Sequence, residues 1–126
     1  MGIYTDFLEK LEKGNVEVFE KDRNLVRSET KLLQLSECDT DNVIKKLMKS
    51  KSHIGETILS KRFALNENML ESRKYDKEPI FFKKRWREEK RLLDTQCAGL
   101  KLSLRDCESL YKAYCDQISI LKAENK

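Results

Sequence analysis

Apolar residues recur every seven positions along much of this chain. In the first segment Tyr4, Leu11, Val18, Leu25 and Leu32 are seven apart, and Phe19, Val26 and Leu33 keep the same step one position later. A seven-residue repeat keeps one narrow stripe of a supercoiled helix against its partner. A helix is therefore predicted over residues 3–36, weakened early by Gly14 and Asn15, because a helical glycine costs about 1 kcal/mol relative to alanine. The stripe stops in "LSECDTDNVIKK", where Asp39, Thr40 and Asp41 offer oxygens able to cap a new helix. That places a reversal at 36–41 and a second helix at 42–75.

The second helix carries Val43, Leu47, Ile54, Ile58 and Leu65, widened by Ile44, Met48, Phe63, Met69 and Leu70, with Gly55 as its weak point. A wider face touches more than one neighbour. Pro79 ends it, since proline removes a donor and disfavours helical geometry at Glu78 before it. A break is predicted at 76–79, either a turn or a kink, followed by a helix over 80–124. Its repeat is the most regular: Trp86, Leu93, Leu100, Cys107, Tyr114 and Leu121 are seven apart, with Cys97, Leu104, Tyr111 and Ile118 at the intervening positions. Trp86 opens this seam, so packing is its expected role.

The expected fold is all-α, an elongated antiparallel coiled-coil hairpin whose long second arm is kinked near Pro79. The narrow stripe of the last helix favours this over the alternative, a three-helix bundle, whose helices each need a broad apolar face. Composition agrees with helices: charged residues make up 38%, with 4 Gly and 1 Pro, too few turn formers for a sheet protein.

The chain of 126 residues reads as one helical unit with a net charge of +4. That excess is too small for a dedicated nucleic-acid binder. It is unevenly spread, however: residues 1–42 carry 6 basic and 10 acidic groups, residues 43–75 carry 8 and 3, and residues 76–126 carry 12 and 9. No run of about 18 apolar residues predicts a membrane span, and "MGIYTDFLEK" lacks the apolar stretch of an export signal. The expected location is cytoplasmic, without membrane insertion. Cys38, Cys97, Cys107 and Cys115 form no C-x-x-C pair and His53 is the only histidine, so reduced thiols and no metal site are expected.

No phosphate loop, dinucleotide fingerprint, zinc-protease motif or nucleophile paired with a histidine occurs. Neither an enzyme nor a cofactor is expected. One stretch stands out, "FFKKRWREEKRL", in which Lys84, Arg85, Arg87 and Lys90 surround the sole tryptophan, Trp86. These five residues are the candidate protein-binding site. Stacking of the indole on a nucleic-acid base is the competing reading, but the interleaved Glu88 and Glu89 oppose a phosphate backbone.

Two stretches, "TDNVIKKLMKSKSHI" and "FKKRWREEKRLLDTQ", within a coiled-coil hairpin followed by further helix, resemble the FliJ/YscO-type central-stalk proteins of flagellar and type III secretion ATPases. The resemblance implies that the terminal ends enter the pore of a hexameric ATPase, that Lys84, Arg85, Arg87 and Lys90 contact acidic loops there, and that the role is coupling during protein export. The alternative is a coiled-coil scaffold or tether bound to itself or another coiled-coil protein, and a second alternative is a helical nucleic-acid module.

Overall fold

The computed structural model describes Glu9 and residues 16–125. It contains three helices, α1 (Glu20–Ser36), α2 (Thr40–Ser72) and α3 (Lys83–Glu124), with a 3-10 turn at Arg73–Tyr75 after α2. There is no strand among the described residues. The all-α expectation holds, and α2 runs through Gly55 without a break. Tyr4 and Leu11 of the expected seam lie outside the described residues.

The first connection is short because Asp39 caps α2. Its carbonyl accepts the backbone N–H of Asn42 and Val43 at 3.1 and 3.3 Å, and its carboxylate accepts the N–H of Asp41 at 3.1 Å. These bonds satisfy donors that a helix start leaves unpaired. Lys46 of α2 pairs with Glu37 in the same connection.

The chain divides into two compact units. One runs from the N-terminal side to Leu59 and resumes at Asp106; the other is Ser60–Arg105. In the first, α1, the beginning of α2 and the end of α3 share one core. Val26 comes from α1, Val43, Ile44 and Leu47 from α2, and Ala113, Tyr114, Ile118 and Leu121 from α3. Asn125 at the end of α3 donates to Asp41 at the start of α2, at 3.1 Å. The two helices are therefore antiparallel here, so the chain reverses between them. The expected all-α antiparallel packing is present, with three helices sharing the core of this unit, as the three-helix alternative also has it, and the segment around Pro79 is a turn.

The face of α3 is broad enough to meet two helices because small and polar residues complete it. Ser109 and Ala113 are buried beside Tyr111 and Tyr114, yet neither registers as a strongly apolar position. Ser109 also accepts a hydrogen bond from the backbone N–H of Phe19 at 2.8 Å, fixing the entry to α1.

On α1 the packed stripe differs from the expected one. Leu25 and Leu32 are 57% and 67% exposed, whereas Val26 is 0% exposed. The inward face runs through Val26 and the half-buried Leu33, with Val18 packed at its edge. Asp22 and Thr30 fill the remaining inward positions. Thr30 is satisfied by donating to the Val26 carbonyl at 2.8 Å. Polar residues on the buried face hide the true stripe from a count of apolar positions. Along α3, Leu93, Cys97, Leu104, Tyr111, Tyr114, Ile118 and Leu121 are buried, and Trp86, Leu100 and Cys107 are half-buried.

Glu29 of α1 joins the three helices. Its carboxylate accepts from Ser50 of α2 at 3.1 Å and from the Tyr114 hydroxyl of α3. Burial, then the hydrogen bond to Glu29, push the Tyr114 phenol up to about 12. Lys51 lies 5.8 Å from the centre of the Tyr111 ring, and burial pushes the Cys115 thiol up.

Two outcomes follow from this packing. Leu47→Ala is expected to lower stability by about 2–5 kcal/mol, while Leu25→Ala changes it by less than about 0.5 kcal/mol, both read from urea unfolding midpoints. The opposite order would restore the seam through Leu25 and Leu32. Because the folded state holds the Tyr114 proton above the ordinary value of 10.0, its contribution to stability is complete below about pH 10 and is lost as the pH rises towards about 12. Tyr114→Phe should lower stability near neutrality by about 1 kcal/mol and flatten the alkaline decline between those two pH values, as measured by denaturant midpoints.

Candidate interaction surface

The turn that joins α2 to α3 lies in the Ser60–Arg105 unit, as does the basic cluster around Trp86. The 3-10 turn Arg73–Tyr75 closes with the Asp76 N–H donating to the Arg73 carbonyl at 3.3 Å, and residues 76–82 carry no helix. The predicted helix start at residue 80 moves to Lys83. The reason is local: Phe82 adopts a φ of 61°, a left-handed conformation that is an outlier for a bulky residue. Its carbonyl accepts the Trp86 N–H at 3.0 Å and so begins α3.

This helix start is unfavourable by ordinary rules. The first position inside it is preceded by phenylalanine, which has no side-chain acceptor for a cap. The first turn contains Lys83, Lys84 and Arg85 and no acidic residue, although the positive end of the helix dipole favours anions. Local violations of this kind are expected where a sequence serves something other than the fold.

The turn also exposes apolar side chains. Ile80, Phe81 and Phe82 are 84%, 73% and 80% exposed, three large apolar residues in succession. This triad is absent from the sequence-based site. The signal was present, since three apolar neighbours beside the only proline match neither a helical nor a heptad spacing, but the left-handed backbone at Phe82 was not readable.

The structure brings the five expected site residues together on the first two turns of α3. Lys84 is exposed. Arg85 donates from Nε to Glu89 Oε1 at 2.9 Å, and Arg87 donates from Nη2 to Glu78 Oε1 across the turn at 3.2 Å. Trp86 is half-buried, with Lys90 Nζ 5.2 Å from the ring centre. Its Nε1–H is shielded from solvent and has no hydrogen-bond partner. The indole thus lies partly within the protein and partly under a lysine, an arrangement closer to packing than to an open stacking platform.

Tyr75 completes a small polar group by donating to Glu89 Oε2 at 3.1 Å. Arg85, and then Tyr75, hold the Glu89 carboxyl below its usual range. The same bond from Tyr75 to Glu89 pushes the phenol up. Glu78 and Glu89 are therefore engaged with arginines, which removes two carboxylates from competition with the remaining lysines.

Among the described residues no group of three His, Cys, Asp or Glu side chains is placed to hold a metal ion. All four cysteines are free. No described helix is long and apolar enough to cross a membrane. No family model, curated protein or solved structure matches the chain.

The backbone at Phe82 gives a direct outcome. Phe82→Gly is expected to leave the melting temperature unchanged or raise it, because relief of a left-handed phenylalanine, about 1–2 kcal/mol, offsets the roughly 0.5–1 kcal/mol of added chain entropy. A fall of more than about 4 °C, equivalent to a loss of roughly 1 kcal/mol, would show that the ring packs into the fold.

Proposed function

We propose that this chain is a non-catalytic helical adaptor that binds a protein partner through the basic start of α3, the partner being a hexameric secretion ATPase whose activity it couples or stimulates during protein export. The observation that carries the reading is the collection of Lys84, Arg85, Arg87 and Lys90 on two helical turns, with two nearby glutamates already engaged by Arg85 and Arg87. An acidic pore loop would meet a surface of opposite charge, which speeds and orients encounter more than it tightens it. The class of partner rests on the resemblance of residues 40–54 and 82–96 to central-stalk proteins.

The physical basis of coupling is asymmetry. A single helical chain touches six equivalent subunits unequally and so biases which of them hydrolyses next, and by linkage the nucleotide state biases the chain in return. A second reading, a coiled-coil scaffold, is favoured by the exposed Leu25 and Leu32, which leave a heptad-spaced line on α1 for another helix.

The test is stimulation of the purified ATPase by the wild-type chain and by the double variant Lys84→Glu, Arg87→Glu. Both positions are exposed, and the one ion pair removed, Arg87 with Glu78, is a surface pair worth under about 1 kcal/mol. Helicity should be retained while stimulation falls at least about tenfold. Full stimulation by the variant would sink this reading and leave the scaffold.

A further inference from the structure

The apolar triad at the turn is not used by the proposed adaptor surface, and nothing in the fold explains it. Ile80, Phe81 and Phe82 each leave most of their surface exposed, and Phe82 occupies a backbone conformation that glycine or asparagine would hold with less strain. Strained, exposed, apolar residues at one turn point to an external contact.

Two features describe what makes that contact. The three side chains are neighbours in sequence on an irregular turn and each is largely exposed. They therefore present apolar surface around the turn, unlike helical residues three and four apart, which lie on one face and fit one groove. A lipid interface can accept such a run of exposed apolar residues without a preformed groove. The second feature is charge. From Arg73 to Arg91 nine cations face four carboxylates, and Glu78 and Glu89 among the latter are bound to arginines. Lys77, Lys83 and Lys84 are exposed and flank the triad on both sides.

We infer that the turn at residues 76–82 docks on an anionic bilayer surface, with Ile80, Phe81 and Phe82 entering the interface and Lys77, Lys83 and Lys84 held against the headgroups. The contact is peripheral, since no described helix is long and apolar enough to span a bilayer. Each part is weak alone: a single lysine brought to an anionic leaflet contributes roughly fivefold in partitioning, and one buried large apolar side chain about tenfold or more. Together they give a reversible attachment that salt releases, as expected for combined apolar and polybasic anchors.

Trp86, the only tryptophan, lies four residues after Phe82 and reports on the event. The full chain is mixed with vesicles of phosphatidylcholine alone or with phosphatidylserine added, and bound protein is measured by flotation and by tryptophan emission. Expected are binding to the phosphatidylserine vesicles only, release as ionic strength rises from about 0.1 M to about 1 M, where the screening length shrinks from about 10 to about 3 Å, and about tenfold weaker partitioning for Phe81→Asp and for Phe82→Gly. Phe82→Gly guards against loss of fold, because that variant should melt at or above the wild-type temperature. Absence of binding to phosphatidylserine vesicles at low salt, or undiminished binding by Phe81→Asp, would overturn the inference. So would binding to an acidic polypeptide but not to vesicles, which would assign the turn to a protein. Phe81→Asp that loses vesicles yet still stimulates the ATPase supports the lipid contact independently of the adaptor reading.

Discussion

The return of α3 onto the start of α2 is the constraint on which the rest depends. Once Tyr114, Ile118 and Leu121 lie against Val43, Ile44 and Leu47, the polypeptide between them must reverse, and residues 76–82 become a turn. α1 then closes the unit through Val26 and through Glu29, which accepts from Ser50 and from Tyr114. A half-buried carboxylate that accepts hydroxyl donors from two other helices is best satisfied when all three helices are in place, because a lost partner leaves a partly shielded polar group less well paired. Such a bond specifies the arrangement more than it adds stability.

Much of this was legible in the sequence. Helix content, the reversal near residue 39 with Asp39 among three capping candidates, the break around Pro79 and the buried α3 positions from Leu93 onward followed from spacing and turn chemistry. The register of α1 did not, because Asp22 and Thr30 lie on its buried side while Leu25 and Leu32 repeat on its outer side. The breadth of the α3 face was concealed in the same way: Ser109 and Ala113 are fully or almost fully buried, yet small residues leave no mark in a heptad count. Whether Pro79 kinked or turned the chain depended on contacts between residues about 80 apart, which no local pattern contains.

At the candidate site the sequence marked the cations and the indole, and the structure altered what surrounds them. Of the two carboxylates that argued against an anionic partner, Glu89 is paired with Arg85 while Glu88 is exposed, and Arg87 is paired across the turn with Glu78. The helix start that carries the cluster lacks a cap and places three cations at the positive end of the dipole, which the fold tolerates because α3 is held by its other half. Stability supplied at one end of a long helix thus permits an unfavourable sequence at the other.

The reversal is best tested by joining the two chain positions it brings together. Asp41 and Asn125 are hydrogen-bonded at 3.1 Å through their side chains, so in a background with the four native cysteines replaced by serine or alanine, Asp41→Cys with Asn125→Cys should be joined within one chain by a short thiol-reactive bifunctional crosslinker, whose reach does not demand disulfide geometry. The account predicts a crosslinked monomer that migrates faster than the untreated form and unfolds at higher denaturant concentration. A linkage found only between chains, or none while the protein remains helical, would mean that α3 does not return to α2, and the turn with its apolar and basic residues would not exist.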